Sequence, residues 1–106
     1  MSCGYDPAFM DPLAAMILGS HHFRSLMVHL LRLADELCGG KLVACHEGGY
    51  SELYVPFCGL AVLEEMTGHR TSVEDPYWAD VSAWGYQVRN ATVQHTRPGD
   101  QLRTAY

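Results

Sequence analysis

The stretch Gly39-Gly40-Lys41-Leu42-Val43-Ala44-Cys45-His46-Glu47-Gly48-Gly49-Tyr50-Ser51 decides how this chain folds. Its two leading glycines stop whatever precedes them, because glycine enters the left-handed conformation after a last helical turn without steric cost. Leu42–Cys45 is then a short apolar run, the pattern of a strand buried on both faces of a parallel sheet. His46-Glu47-Gly48-Gly49-Tyr50 reads as a loop. Ser51 reads as the cap of a second helix that reaches Met66, with Pro56 tolerated in its first turn and Gly68 ending it.

Upstream of the glycine stop, Phe23, Leu26, Met27, Leu30, Leu31, Ala34 and Leu37 recur at steps of three and four. That is the period of an amphipathic helix, and Ser20 is placed to cap its first turn. The order loop, helix, buried strand, loop, helix is that of an α/β layered fold. Right-handed crossovers make successive strands parallel, so their C-terminal ends open on one edge, where ligands of open α/β sheets bind. If the residues before Asp6 end a strand, Asp6 and Tyr50 face one crevice although 44 positions separate them. Residues 69–106 lose this regularity. The chain therefore reads as one unit over 1–76 and an irregular or weakly helical tail over 77–106.

Composition narrows the function classes. The chain has 106 residues with 48% hydrophobic and 18% charged, the balance of one small globular domain. Its formal net charge of -5 argues against a general nucleic-acid binder, which carries a basic face. The excess is local: residues 1–68 hold eight acids against Arg24, Arg32 and Lys41, while the rest balances four acids with four arginines. Cys3, Cys38, Cys45 and Cys58 form no C-x-x-C pair, so buried reduced thiols are expected rather than a zinc knot or a disulfide framework. With no basic-then-apolar leader and no apolar run of about 20 residues, the expectation is a cytoplasmic chain without a membrane partner.

Two segments carry the chemistry. Cys3-Gly4-Tyr5-Asp6 with Asp11-Pro12-Leu13, followed by His46-Glu47-Gly48-Gly49-Tyr50-Ser51, together resemble the class II-like histone deacetylase and acetylpolyamine amidohydrolase family. The run Tyr54-Val55-Pro56-Phe57-Cys58-Gly59-Leu60-Ala61 is similar to bacterial members, and the resemblance covers residues 2–76. It implies the C-terminal portion of a three-layer α/β/α arginase/deacetylase fold, incomplete in this chain. It also implies a zinc-dependent hydrolysis of the acetyl amide of acetyl-lysine or an acetylated polyamine. On that resemblance Asp6 matches a zinc ligand and Tyr50 the catalytic tyrosine, whose hydroxyl polarises the scissile carbonyl. Leu13, Gly48 and Gly49 match the wall of a narrow substrate channel, and Glu47 matches a supporting residue behind the loop. Without the resemblance, Asp6-Pro7 reads as a turn initiator and Gly-Gly-Tyr as a turn before a helix.

The same comparison shows what is missing. The sequence contains no Asp-x-His ligand motif and no upstream histidine pair. His21-His22 falls in the first turn of the amphipathic helix, so a solvated or locally hydrogen-bonded role is expected there. A catalytic zinc site takes three protein ligands and leaves one position open. One carboxylate does not meet that need, so the chain alone is expected neither to hold zinc tightly nor to turn over substrate. Two readings follow: a piece of a deacetylase completed by a polypeptide that supplies the N-terminal part, or a non-catalytic remnant that works by association. An unrelated small α/β binding domain is the third.

Overall fold

The first helix forms where the apolar period places it. In the computed structural model, which describes residues 1–13 and 16–83, α1 spans Ser20–Cys38. Gly39 and Gly40 both take positive φ, and the amides of both turn back toward the carbonyl of Ala34. The start differs from expectation. Gly19 is the N-cap, and Ser20 is already helical. The Ser20 side chain instead donates to Asp75 Oδ2 at 2.6 Å, while its N–H donates to the Tyr54 hydroxyl at 2.9 Å. A distant partner has taken the hydroxyl that a cap would have used.

Of the apolar stripe, Phe23, Met27 and Ala34 are buried. Leu26 and Leu37 are not, at 52% and 80% exposed. The stripe is broader than the surface that α2, Val55–Thr67, covers. Tyr54 caps α2, with its N–H on the Ser51 carbonyl, so Ser51 lies one turn upstream and contributes through its backbone. Pro56 sits in the first turn, and Gly68 ends the helix in the left-handed region, as expected.

The seam between α1 and α2 is closed by Tyr54, Met27 and Cys58, all fully buried. Phe9 meets the Tyr54 ring edge-on at 4.5 Å, a favourable aromatic geometry. Arg24 bridges to Glu64 at 2.5 Å and to Glu65 at 3.3 Å across the two helices. Glu64 also accepts from the Thr71 amide at 2.7 Å and its hydroxyl at 2.5 Å, which fastens the segment after α2.

Two parallel strands, β1 (Ser2–Cys3) and β2 (Cys45–His46), flank α1 in sequence. Ser2 faces Cys45 and Cys3 faces His46. The expected strand Leu42–Cys45 is thus shorter and shifted, and both residues of β2 are exposed. A strand is buried on both faces only where further strands and helices cover it. Among the described residues β2 pairs with β1 alone. The thiols follow suit: only Cys58 is buried, Cys3 is half-buried, and Cys38 and Cys45 are exposed. All four are free.

The chain divides into two units after Asp75. The described part of the second contains α3, Trp78–Ala83. The rest of the tail expected to be irregular, residues 84–106, lies outside the described residues. Helices and a small parallel sheet make this an α/β arrangement.

Candidate functional site

The ladder continues beyond the strands and delivers two loops to one edge. Glu47 N–H donates to the Cys3 carbonyl at 3.2 Å, and Tyr5 N–H donates to the Gly48 carbonyl at 2.7 Å. Tyr5 turns inward, 7% exposed, with its ring edge-on to Phe23 at 5.4 Å and to His46 at 5.1 Å. Burial first, then the neighbouring Cys3 thiol, holds the Tyr5 phenol far above its ordinary range, so it stays protonated. The chain turns directly after Tyr5, whose carbonyl accepts from the Ala8 N–H at 3.0 Å, and Asp6 lies in that turn.

Asp6 lies against the glycines. A Cβ on Gly4 would stand 2.6 Å from Asp6 Oδ1, and one on Gly48 would overlap that oxygen outright. Gly49 carries φ +128°, and a Cβ there would stand 3.0 Å from both Tyr5 Cβ and Val55 Cγ2. The two glycines let the second loop close onto the first: Gly48 by leaving room for the carboxylate, Gly49 by its backbone conformation. The close approach that the sequence places beside a substrate is thus also made to Asp6 and Tyr5.

Tyr50 follows with its side chain 58% exposed. Its backbone is nonetheless fixed, because its N–H donates to Asp11 Oδ2 at 2.7 Å. The other oxygen of the same carboxylate accepts from the Leu13 N–H at 2.9 Å. Leu13 is 73% exposed, while Asp11 is 8% exposed. Asp6, Asp11, Leu13, Gly48, Gly49 and Tyr50 therefore belong to one connected pair of loops. Sequence reasoning singled out five of these six. Asp11 entered only as part of the Asp11-Pro12-Leu13 motif and was given no role, although its bond to Leu13 is the ordinary side-chain-to-backbone turn of an aspartate two residues upstream. No local signal marks its second bond, 39 positions away.

Glu47 is exposed rather than buried, and its Oε1 accepts from the Ser2 hydroxyl at 2.9 Å. It ties β2 to β1. His22 behaves as a local helix partner, with Nδ1 accepting from the Gly19 N–H at 2.9 Å. The His21 imidazole is held below its ordinary value, chiefly by burial and then by His22, with Asp75 opposing. Among the described residues no three His, Cys, Asp or Glu side chains gather around a point that could hold a metal ion. Asp6 is a suitable hard oxygen donor for zinc, but these residues do not fit a catalytic zinc site, which needs three such ligands.

Comparison with known proteins shows the family. The model of the histone deacetylase domain matches residues 1–66. A histone deacetylase-like amidohydrolase of Pseudomonas aeruginosa is 51% identical over 76 residues, covering 72% of this chain and 20% of that protein. A probable deacetylase of Archaeoglobus fulgidus is 35% identical over 69 residues, 64% of this chain and 19% of that one. The chloroplastic histone deacetylase 14 of Arabidopsis thaliana is 43% identical over 51 residues, 48% of this chain and 12% of its own length. The chain spans about a fifth of the length of the first two curated relatives. The match sets aside an unrelated α/β binding domain. With its helices, its small parallel sheet and its Asp6 and Tyr50 loops joined at one edge, the chain belongs to the histone deacetylase family.

Proposed function

We propose that this chain is the C-terminal part of a zinc-dependent deacetylase domain of the arginase/deacetylase fold. The complete domain hydrolyses the acetyl amide of acetyl-lysine or of an acetylated polyamine. The observation that carries this reading is the junction of the Asp6 and Tyr50 loops through Tyr5, Gly48 and Asp11, in a chain whose first 66 residues match the family.

In that domain Asp6 is one metal ligand, and the other ligands come from sequence this chain does not contain. Tyr50 presents a phenol on a fixed backbone and donates a hydrogen bond to the carbonyl oxygen as negative charge builds on it. Removing one such donor costs about 100- to 1000-fold in rate. Leu13, Gly48 and Gly49 line the channel that takes the extended acyl arm, and Glu47 steadies the strand that carries the loop. Residence in the cytoplasm, with no direct nucleic-acid partner, completes the proposal. No described helix is long and apolar enough to cross a membrane.

Exposed apolar surface favours completion by another polypeptide. One open groove of about 690 Å³ runs along Cys3, Ala44, His46, Pro56 and Leu60. A second, of about 410 Å³, runs along Met1, Gly4, Phe23, Leu26 and Leu30. Both include the short sheet in their walls, where further strands would pair and pack. The same surface suits the reading as a non-catalytic remnant, so activity must decide between them.

The test is a chimera in which residues 1–76 replace the matching segment of the Pseudomonas aeruginosa relative, assayed beside the isolated chain. The reading expects turnover of an acetyl-lysine peptide by the chimera. The chelator-washed isolated chain should show neither turnover nor stoichiometric zinc. A folded, zinc-loaded chimera without activity, beside an active parent, contradicts the proposal. Stoichiometric zinc together with turnover in the isolated chain would refute the incompleteness.

A further inference from the structure

We infer that Asp11 is a positioning residue that couples the exposed Leu13 to Tyr50 and sets where the Tyr50 phenol points. The catalytic half of this inference rests on the deacetylase reading; the coupling itself does not. The carboxylate is the shared acceptor of two loops. Oδ1 receives the Leu13 N–H at 2.9 Å and Oδ2 the Tyr50 N–H at 2.7 Å. These are charge-assisted bonds to a carboxylate 8% exposed, the stronger class of hydrogen bond.

The arrangement is needed because neither side chain is held by packing. Tyr50 is 58% exposed and Leu13 is 73% exposed. What fixes the phenol is therefore the backbone on which it stands. Gly49 beside it has φ +128°, a conformation open to glycine and rarely taken by other residues. On its N-terminal side the loop is pinned by the Gly48 carbonyl, which accepts from Tyr5. On its C-terminal side the Ser51 carbonyl accepts from the amides of Tyr54 and Val55 at the start of α2. Asp11 supplies the bond at Tyr50 itself. Because the same carboxylate orders Leu13, a shift of one loop is passed to the other.

Chemistry separates the possible substitutions. An ionised carboxylate offers acceptors on both oxygens, whereas an amide offers one acceptor and one donor. Asp11→Asn can therefore keep one of the two bonds. The local bond to Leu13 is the one retained, since asparagine forms the same turn two residues on. Asp11→Ala loses both.

Two measurements test this separately from the deacetylase reading. The first is amide hydrogen exchange on the full 106-residue chain. The Leu13 and Tyr50 amides should both be protected. In Asp11→Asn the Tyr50 amide should exchange about tenfold faster or more, as expected for a lost bond to a charged acceptor. Leu13, and Met27 inside α1, should keep their rates. An unprotected Tyr50 amide in the unsubstituted chain, where the α1 amides are protected, overturns the coupling whether or not any variant folds. Equal acceleration at Tyr50 and Met27 assigns Asp11 to general stability and overturns it too. If the isolated chain protects no amide at all, the same exchange is read in the chimera.

The second measurement is a double-substitution cycle on kcat in the chimera. Asp11→Asn should lower kcat about 10- to 100-fold, the scale of a misplaced catalytic group. In the Tyr50→Phe background the same substitution should lower kcat no further, because its effect passes through the phenol. A full multiplicative loss in that background rejects the positioning role. A coupling seen in exchange beside an inactive chimera leaves the coupling standing and sinks only the deacetylase reading.

Discussion

The helix seam and the loop edge of this molecule are held by different physics. Along the seam, Tyr54, Met27 and Cys58 are fully buried, and polar groups that go inside arrive with partners. The Tyr54 hydroxyl donates to Asp75 and accepts from the Ser20 amide, while buried Glu64 takes bonds from Arg24 and Thr71. At the loop edge, Tyr50 and Leu13 stand largely in solvent. Order there comes from the Tyr5–Gly48 backbone bond, the Asp11 carboxylate and glycines that permit close approach. One region maintains the fold by burial. The other displays side chains on a backbone fixed from beneath.

The sharpest way to break this contrast is at the seam. Tyr54→Ala removes a fully buried ring and leaves the Ser20 amide without its acceptor, so a loss of about 3–5 kcal/mol is expected in urea denaturation. A loss under about 1 kcal/mol would mean the seam is not the core. Next comes Gly48→Ala, whose Cβ would run into the Asp6 carboxylate. It should cost about 1–3 kcal/mol as an overpacking change, together with much of the chimera's turnover. Gly39→Ala, with nothing within 4 Å of its Cβ, should cost about 1–2 kcal/mol from φ alone and leave turnover unchanged.

The acid side of the stability curve probes the seam through Glu64. The Thr71 hydroxyl and amide, then Arg24, bring its value from the ordinary 4.5 down to about 2. Because the folded value lies below the unfolded one, this contribution is complete above pH 4.5 and is lost as pH falls toward 2. Glu64→Gln should flatten that part of the curve, and an unchanged slope would contradict the assignment. The smallest effect is at the thiols. Burial pushes the Cys58 thiol up to about 12, so it should stay unreactive toward a thiol reagent at neutral pH in the folded chain. Exposed Cys38 and Cys45 should react.

Legibility in the sequence followed the same division. The extent of α1 could be read from the period of Phe23, Met27 and Ala34 and from Gly39-Gly40, because local backbone preference and burial agree there. The Gly68 stop was legible for the same reason. The caps were not: Ser20 bonds Asp75, 55 positions on, and no local pattern announces such a partner. Leu42–Cys45 looked like a fully buried strand because its composition reflects surroundings that the described residues do not provide. At the site, the joining of the Asp6 and Tyr50 loops followed from strand order. The partner of Glu47 and the second bond of Asp11 depend on register between distant loops, which one sequence does not encode visibly.

The central claim is that the loop edge displays Tyr50 for chemistry while the Tyr50 side chain contributes little to the fold. It is tested most directly by Tyr50→Phe in the chimera with the Pseudomonas aeruginosa relative, with turnover and urea stability measured on the same preparation. The account predicts turnover of an acetyl-lysine peptide reduced about 100- to 1000-fold. It also predicts a stability change within about 0.5 kcal/mol, as for an exposed side chain. Unchanged turnover in a folded protein, or a stability loss as large as that expected for Tyr54→Ala, would contradict it.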